Sequence, residues 1–220
     1  MPDGNRRYAK KKNISFDKSY LIGGKTLKLL ADYFIVSKKF DTLIYFILSD
    51  YTKKRNDNSL DSIFYAATKI LKDLFHKDYF KKNDLQLRFI THDKRIIPSN
   101  LLKIIGRLES SSKKYKSGKI LLLAGYSLEK DFNKALSHKP KDYLSLRRNL
   151  IFQNIDLIIR TTEMRLSNGP SYATSQSQMI TINKFNPELN IKDLRIVWKK
   201  YKNLLKIRKE SNPHHNKIVV

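Results

Sequence analysis

The chain of 220 residues carries 45 lysines and arginines against 20 aspartates and glutamates, a formal net charge of +25 at pH 7. It has no cysteine, which excludes disulfides and thiol chemistry and fits a reducing cytoplasm. No apolar run approaches the ~20 residues that span a bilayer, and the basic opening lacks the apolar segment of a signal peptide. We therefore expect a cytoplasmic protein with one domain over residues 1–220.

The excess of positive charge favours an anionic partner, which could be a nucleic acid, an anionic membrane or a phosphorylated small molecule. A general bias towards lysine, spread over solvated helix faces, explains the charge equally well. The basic residues form small clusters at 10–12, 53–55 and 113–116. None of these clusters has the aromatic, zinc-binding or heptad pattern of a nucleic-acid module, so we expect no nucleic-acid partner.

The predicted elements alternate between helices and strands along the chain. Helices are predicted where apolar residues recur at helical spacing, and strands where short runs are continuously apolar. In chain order, the predicted elements are a helix from near Arg6, a helix at 21–36, a strand at 42–48, a helix at 59–75, a strand at 85–90, a helix at 98–110, a strand at 119–126, a helix after the N-cap Ser127, strands at 154–160 and 177–182, and a helix at 190–209. Residues 211–220 are expected to form a flexible tail.

This alternation predicts an α/β fold with a central, largely parallel sheet flanked by helices. Ligands of such sheets bind outside the carboxyl ends of the strands. That rule selects the stretches 49–55, 125–131 and 160–167, which are all polar or charged. We expect them to contribute to one site.

The stretch after the strand at 154–160 suits a diphosphate. Arg160 and Arg165 can each bind phosphate oxygens through two N–H groups, and the hydroxyl of Ser167 adds a neutral donor. The alternative is that Arg160 pairs with Glu163 within the loop.

The opening stretch "MPDGNRRYAKKKN" also suits phosphate. Gly4 and Asn5 allow a turn whose backbone amides point outward, and a helix that begins near Arg6 adds its positive end. Arg6 and Arg7 supply further positive charge. Asp3 is an acid among these cations and could hold Mg²⁺ beside a diphosphate, or it could cap the helix.

At these residues the chain resembles the cis-prenyltransferases, the undecaprenyl diphosphate synthase-like enzymes. Their first signature, Asp-Gly-Asn-x-Arg-(Trp/Tyr)-Ala-(Lys/Arg), matches residues 3–10. Their second signature matches "DLIIRTTEMRLSNG" at 156–169, with a loop one residue shorter. Residues 45–55 resemble the family segment that contains Asn-Trp-x-Arg, so the resemblance covers nearly the whole chain.

The resemblance implies condensation of an allylic prenyl diphosphate with isopentenyl diphosphate, with Mg²⁺ as cofactor and pyrophosphate as the leaving group. It implies an apolar tunnel for the prenyl chain, for which the stripe from Leu60 to Leu74 is a candidate wall or else ordinary core. By resemblance, the catalytic residues are Asp3, Asn5 and Asp50; Asp3 contacts the metal; Gly4, Asn5, Arg6, Arg7 and Lys53 hold the allylic diphosphate; and Arg160, Arg165 and Ser167 hold the acceptor diphosphate.

The chain departs from the family pattern at several positions. Phe16 and Tyr20 stand where the family has an arginine and a histidine that contact the allylic diphosphate. Residues 50–53 read Asp-Tyr-Thr-Lys in place of Asn-Trp-x-Arg, and Gln178 replaces a glutamate that often contacts metal. Family members also have a strand before the aspartate, so here that strand is absent or the true start lies upstream.

The C-terminal Arg-x-Gly motif of the family, which completes the acceptor site across the dimer, is also absent, and Arg208 is a weak substitute. The resemblance implies a homodimer, or a heteromer in which this chain is the catalytic subunit. The departures leave open a different acceptor or a non-head-to-tail coupling of two prenyl groups. Peripheral contact with a membrane is left open too, because long prenyl products partition into lipid.

Overall fold

The computed structural model describes residues 2–49, 59–166, 169–207 and 217–219. Six strands and nine α-helices lie in these ranges. The strands are β1 Thr42–Ser49, β2 Leu85–Ile90, β3 Gly118–Tyr126, β4 Leu157–Thr161, β5 Gln178–Ile182 and β6 Lys217–Val219. The helices are α1 Asn5–Lys12, α2 Phe16–Gly24, α3 Thr26–Leu30, α4 Ser59–His76, α5 Tyr79–Lys82, α6 Ser99–Ser112, α7 Leu128–Ser137, α8 Tyr143–Asn149 and α9 Ile191–Ile207, and a π-helical segment, Ala31–Val36, follows α3.

The strands form one sheet in the order β2-β3-β1-β6-β4-β5, and every neighbouring pair is parallel. Both faces of the sheet are covered. In β1, Leu43 and Tyr45 belong to one apolar core, while Ile44 and Phe46 belong to a second core. Successive side chains of a strand point to opposite faces, so the two cores lie on opposite sides of the sheet. The predicted α/β fold is confirmed.

Two of the helices begin after a serine whose side chain accepts a hydrogen bond from a backbone amide of the first turn. Ser15 accepts a hydrogen bond from the amide of Lys18 at the start of α2, and the predicted N-cap Ser127 accepts one from the amide of Lys130 at the start of α7. Such caps stabilise a helix by about 1 kcal/mol. The helix predicted at 21–36 is divided into α2, α3 and the π-helical segment, and it begins earlier, at Phe16.

Within the described ranges, no helix is both long and apolar enough to cross a membrane.

The strand β6 comes from the C-terminal stretch that the sequence predicted to be a flexible tail. Lys217–Val219 lie between β1 and β4, and Ile218 pairs with Leu43 on one side and Leu157 on the other. In the described chain, β6 alone connects the β2-β3-β1 half of the sheet to the β4-β5 half. Val219 pairs with Ile158 of β4, so β6 runs towards the carboxyl edge of the sheet.

We expect Ile218→Pro to lower the free energy of unfolding strongly. A proline has no N–H to donate and is excluded from central strands, so the substitution removes a hydrogen bond from the middle of this three-residue strand. Urea unfolding followed by circular dichroism measures the effect, with Ile218→Val as a matched control that keeps a good strand former. Unchanged stability of Ile218→Pro would show that this strand does not hold the two halves together.

Candidate active site

The backbone of Asp3 is anchored beyond the carboxyl end of β4. Its amide donates to the Thr161 hydroxyl at 2.7 Å, and its carbonyl accepts from the same hydroxyl at 3.1 Å. The Asp3 carbonyl also accepts from the backbone amide of Asn186, just after β5, at 2.8 Å. These bonds attach the opening of the chain to the edge of the sheet where the sequence predicted the site.

Gly4 provides the turn between Asp3 and α1. Its φ of 87° is left-handed, a conformation that glycine adopts without steric cost. A Cβ at this position would lie 2.5 Å from Cδ1 of Phe185 and 3.0 Å from the methyl group of Thr162. The helix α1 therefore begins against the loops that follow β4 and β5, with its N-terminus at the same edge of the sheet.

The carboxylate of Asp3 lies between two guanidinium groups. Its Oδ2 is 3.3 Å from Arg7 and 3.7 Å from Arg160, and Oδ1 accepts a hydrogen bond from the Gly4 amide at 2.6 Å. The side chain of Arg160 is only 3% exposed. Burial lowers the pKa of Arg160 from its ordinary value, and the charge of Asp3 opposes that shift.

A second carboxylate, that of Glu163, forms ion pairs with Arg7 and Arg165. Its oxygens lie 3.0 Å from Arg7 and 2.8 Å from Nε of Arg165. Arg160 contacts Glu163 through the backbone, where its Nε donates to the carbonyl at 3.2 Å. The sequence left open a pairing of Arg160 with Glu163. In the structure, Arg160 contacts the main-chain carbonyl of Glu163, and the Glu163 carboxylate pairs with Arg7 and Arg165 instead.

Asp3, Arg7, Glu163 and Arg165 line an open cleft of about 450 Å³. Four cationic side chains and two carboxylates face it, and the aromatic rings of Phe16 and Tyr20 form part of its wall. The charged residues are Arg6, Arg7, Lys10, Arg165, Asp3 and Glu163. An excess of cations beside a helix N-terminus is a favourable environment for phosphate.

A small apolar cavity of about 70 Å³ adjoins the cleft. It lies between α2, α4 and the sheet, and its lining includes Leu27, Tyr45 and Leu122. From the stripe of α4 that was predicted as a wall, Ile63, Ala67, Ile70 and Leu71 line the cavity, whereas Leu74 belongs to the core. The cleft and the cavity share Pro2, Asn5, Tyr20, Ile47 and Ile63.

The structure brings most of the predicted site residues together. Asp3, Gly4, Asn5, Arg6, Arg7 and Arg165 line the cleft, and Arg160 lies behind Asp3. The predicted residues Asp50, Lys53 and Ser167 lie outside the described residues, as does Arg208. Gln178 begins β5 and therefore lies at the opposite edge of the sheet from Asp3.

Three residues of the site were not predicted from the sequence. Lys10 faces the cleft from α1. Thr162 accepts a hydrogen bond from Arg7 at 3.0 Å and has a φ of 67°, which is rare for a β-branched residue. Asn186 is 1% exposed and lines the cavity beside Asn5. Position 186 lies outside every motif, and contacts across more than 150 residues leave no local signal.

Fold and site together define a protein of the α/β class with a basic cleft suited to an anion and an adjoining apolar cavity. The comparison with protein families agrees. The family model described as putative undecaprenyl diphosphate synthase matches residues 1–208. The chain belongs to this family, which confirms the resemblance seen in the sequence.

Two curated proteins illustrate the range of similar sequences. One is the tritrans,polycis-undecaprenyl-diphosphate synthase (geranylgeranyl-diphosphate specific) of Pyrobaculum aerophilum, which is 26% identical over 91% of this chain and 90% of its own length. The other is an isoprenyl transferase of Helicobacter pylori, which is 26% identical over 87% of each chain.

Two solved structures share the fold. The lavandulyl diphosphate synthase from Lavandula x intermedia, in complex with dimethylallyl diphosphate, superposes with a TM-score of 0.82 at 21% identity and covers 91% of this chain and 92% of that one. A probable undecaprenyl diphosphate synthase from Campylobacter jejuni superposes with a TM-score of 0.72 at 23% identity and covers 83% of this chain and 89% of its own.

We expect Gly4→Ala to lower the free energy of unfolding by about 1–3 kcal/mol, because it forces a non-glycine residue into a left-handed conformation and places a methyl group against Phe185. Urea unfolding measures the loss. Gly106→Ala in α6 is the matched control. A Cβ there has no neighbour within 4 Å, and alanine favours the helix by about 1 kcal/mol. Equal effects of the two substitutions would contradict the role of Gly4.

Proposed function

We propose that this protein is a cis-prenyltransferase that condenses an allylic prenyl diphosphate with isopentenyl diphosphate and releases pyrophosphate. The observation that carries the proposal is the continuity of the basic cleft with the apolar cavity, which share five residues of their walls. A prenyl diphosphate has a charged head and an apolar chain, and this arrangement offers each part a matching environment. The cavity would then be the entrance of the prenyl tunnel.

The allylic diphosphate is proposed to bind at the N-terminus of α1. Gly4 and Asn5 begin this helix, whose first amides have no partner within the helix and whose dipole favours an anion. Arg6 and Arg7 add guanidinium groups beside the amides, and Lys53 is proposed as a further cation. With the head group there, the prenyl chain would enter the cavity past Tyr20.

The diphosphate of the acceptor is proposed to bind Arg160, Arg165 and Ser167. The guanidinium of Arg165 is 63% exposed and is held by Glu163, so a phosphate can take over this contact at small cost. Arg160 is buried against Asp3, and we propose that it acts at the boundary between the two diphosphates.

The residues at Asp3 fit Mg²⁺. Magnesium in phosphoryl sites is commonly bound by one or two carboxylates, by substrate phosphate oxygens and by water. Asp3 supplies one carboxylate, 32% exposed, and no group of three or more His, Cys, Asp or Glu side chains suited to a metal occurs in the described residues. Asp3 would therefore hold the ion together with diphosphate oxygens. The bound ion would stabilise the charge of the leaving pyrophosphate.

In the proposed reaction, the C–O bond between the allylic carbon and the diphosphate breaks. The double bond of isopentenyl diphosphate forms a new C–C bond to that carbon, and a proton is then lost to give a cis double bond. Asp3, Asn5 and Asp50 are the proposed catalytic residues. The arginines of the cleft stabilise the negative charge that develops on the leaving group.

A second candidate is the coupling of two allylic diphosphates, or transfer to an acceptor other than isopentenyl diphosphate. The specific observation in its favour is the aromatic wall of the cleft, where Phe16 and Tyr20 replace charged residues of the family pattern. We also propose a homodimer or, if a partner supplies the missing C-terminal motif, a heteromer.

An extraction assay read by mass spectrometry tests the function. The protein is given Mg²⁺ and dimethylallyl, geranyl, farnesyl or geranylgeranyl diphosphate, each with and without isopentenyl diphosphate. Products that need isopentenyl diphosphate and grow in five-carbon steps are expected. Products formed without it would favour allylic coupling, and no product in any mixture would contradict both candidates for the isolated chain.

We expect Asp3→Asn to reduce turnover at least 100-fold. The amide keeps the shape of the side chain but loses the charge that would hold Mg²⁺, so the effect should fall on kcat. Initial rates over a range of Mg²⁺ concentrations measure it, with Asp142→Asn, an exposed carboxylate at the start of α8, as the control. Full activity of Asp3→Asn would remove the metal role.

We expect Arg165→Ala to raise the KM for isopentenyl diphosphate about tenfold or more, because a charge-assisted contact to phosphate is lost, and to leave the KM for the allylic substrate within about twofold. Steady-state kinetics with each substrate varied in turn separate the two. Arg148→Ala, which removes an exposed arginine from α8, is the control. If both KM values rose equally, the assignment of Arg165 to the acceptor would be wrong.

A further inference from the structure

Asn186 occupies a buried position between the two halves of the candidate site. It begins a short 3₁₀ turn, Asn186–Glu188, after β5 and is 1% exposed. Its backbone amide donates to the Asp3 carbonyl at 2.8 Å. Its side chain reaches in the opposite direction, towards α2 and α3, and lines the apolar cavity.

The hydrogen bonds of the Asn186 side chain leave its amide one orientation. Nδ2 lies 3.0 Å from the carbonyl oxygen of Gly23, and a backbone carbonyl can only accept. The N–H₂ group must therefore face Gly23, because the reverse orientation would bring two carbonyl oxygens together. Oδ1 then lies 3.0 Å from the hydroxyl of Thr26. That hydroxyl is also 2.6 Å from the Gly23 carbonyl and 3.1 Å from the hydroxyl of Tyr45, so its single proton has two acceptors, the Gly23 carbonyl and Oδ1 of Asn186.

The orientation of the Asn186 amide also fixes that of the Asn5 amide. The same N–H₂ group of Asn186 lies 3.4 Å from Oδ1 of Asn5. A carboxamide carries its oxygen and its N–H₂ group on opposite sides, so the N–H₂ group of Asn5 is turned away from Asn186. Asn5 lines both the cavity and the basic cleft. Its donor group is therefore available on the side where the diphosphate is proposed to bind.

The surrounding residues hold Asn5 in place. The hydroxyl of Ser19 donates to the Asn5 carbonyl at 2.6 Å. A Cβ on Gly23 would lie 2.1 Å from Oδ1 of Asn5 and 2.6 Å from Nδ2 of Asn186. Residue 23 must therefore be glycine for the two amides to meet, and the contact depends on the close approach of α2.

We propose that Asn186 is a positioning residue that orients the Asn5 amide, so that its N–H₂ group donates to the allylic diphosphate. The inference rests on the proposed function, in which Asn5 binds that diphosphate. Asn186 does not itself touch the head group. It acts through one hydrogen bond to Asn5, which a double-mutant cycle can isolate.

The test measures the affinity of the purified protein for farnesyl thiolodiphosphate, a non-reacting allylic analogue, by calorimetry in the presence of Mg²⁺. Asn186→Leu keeps the approximate shape but cannot orient Asn5. We expect it to weaken binding about tenfold in the wild-type background and less than twofold in the Asn5→Ala background. Equal losses in the two backgrounds would overturn the proposal, because they would show that Asn186 acts by a route other than Asn5.

Asn83→Leu is the matched control for loss of an amide hydrogen bond. The side chain of Asn83 donates to the Tyr79 carbonyl at 2.8 Å, and neither residue lines the cleft or the cavity. We expect this variant to lose stability while its affinity for the analogue stays within twofold. A tenfold loss of affinity here would mean that general destabilisation explains the Asn186 result.

A second readout does not depend on the proposed function. In the unliganded protein, NMR should show that the side-chain amide protons of Asn186 are protected from exchange with water. The side-chain amide protons of Asn5 should exchange rapidly. Protected Asn5 protons would overturn the inference. If the wild-type protein bound no allylic diphosphate while the amides had the expected protection, the proposed function would fail and the orientation would stand.

Discussion

The site depends on the hydrogen bonds that attach the backbone of Asp3 to Thr161 and Asn186. They join the first residues of the chain to the ends of β4 and β5, more than 150 positions away in sequence. This attachment determines the left-handed turn at Gly4 and the placement of α1. The backbone of the opening stretch is thus held by bonds to Thr161 and Asn186, and its charged side chains line the cleft.

The electrostatics of the cleft suit exchange of one anion for another. Asp3 and Glu163 already neutralise part of the charge of Arg7 and Arg165, so the cations are ordered before a substrate arrives. Exposed ion pairs of this kind are worth about 0–1 kcal/mol, so a diphosphate with more charge can displace them readily. Arg160 differs, because its side chain is buried behind Asp3.

The polar cleft and the apolar cavity are coupled through α2. This helix carries Tyr20 and Gly23, which line the cavity, and its Gly23 carbonyl fixes the amide of Asn186. A change that moved α2 outward would widen the cavity and release Asn5 at the same time. The shapes of the cleft and of the cavity therefore depend on the same packing.

The sequence by itself determined the order of β1 to β5 and of the longer helices, and it selected the motifs that line the cleft. Continuous apolar runs and helical periodicity are local signals, and they sufficed for β1 to β5, for α4 and for the parallel sheet. The motifs around Asp3 and Arg165 carry their chemistry in adjacent residues. The rule for parallel strands placed Arg165 at the carboxyl edge of the sheet, whereas Asp3 was assigned to the same site from its phosphate-binding pattern and the family resemblance.

Tertiary structure decided what depends on distant partners. Ile218 and Val219 are good strand formers, but so short a run does not distinguish a strand from a tail. The place of Lys217–Val219 between β1 and β4 is set by backbone pairing with both neighbours. The burial of Arg160 and the contact of Asn186 with Asn5 likewise arise from packing between segments far apart in the chain. Such contacts leave no periodic pattern in the sequence, because each is made once and by residue types that are common on any surface.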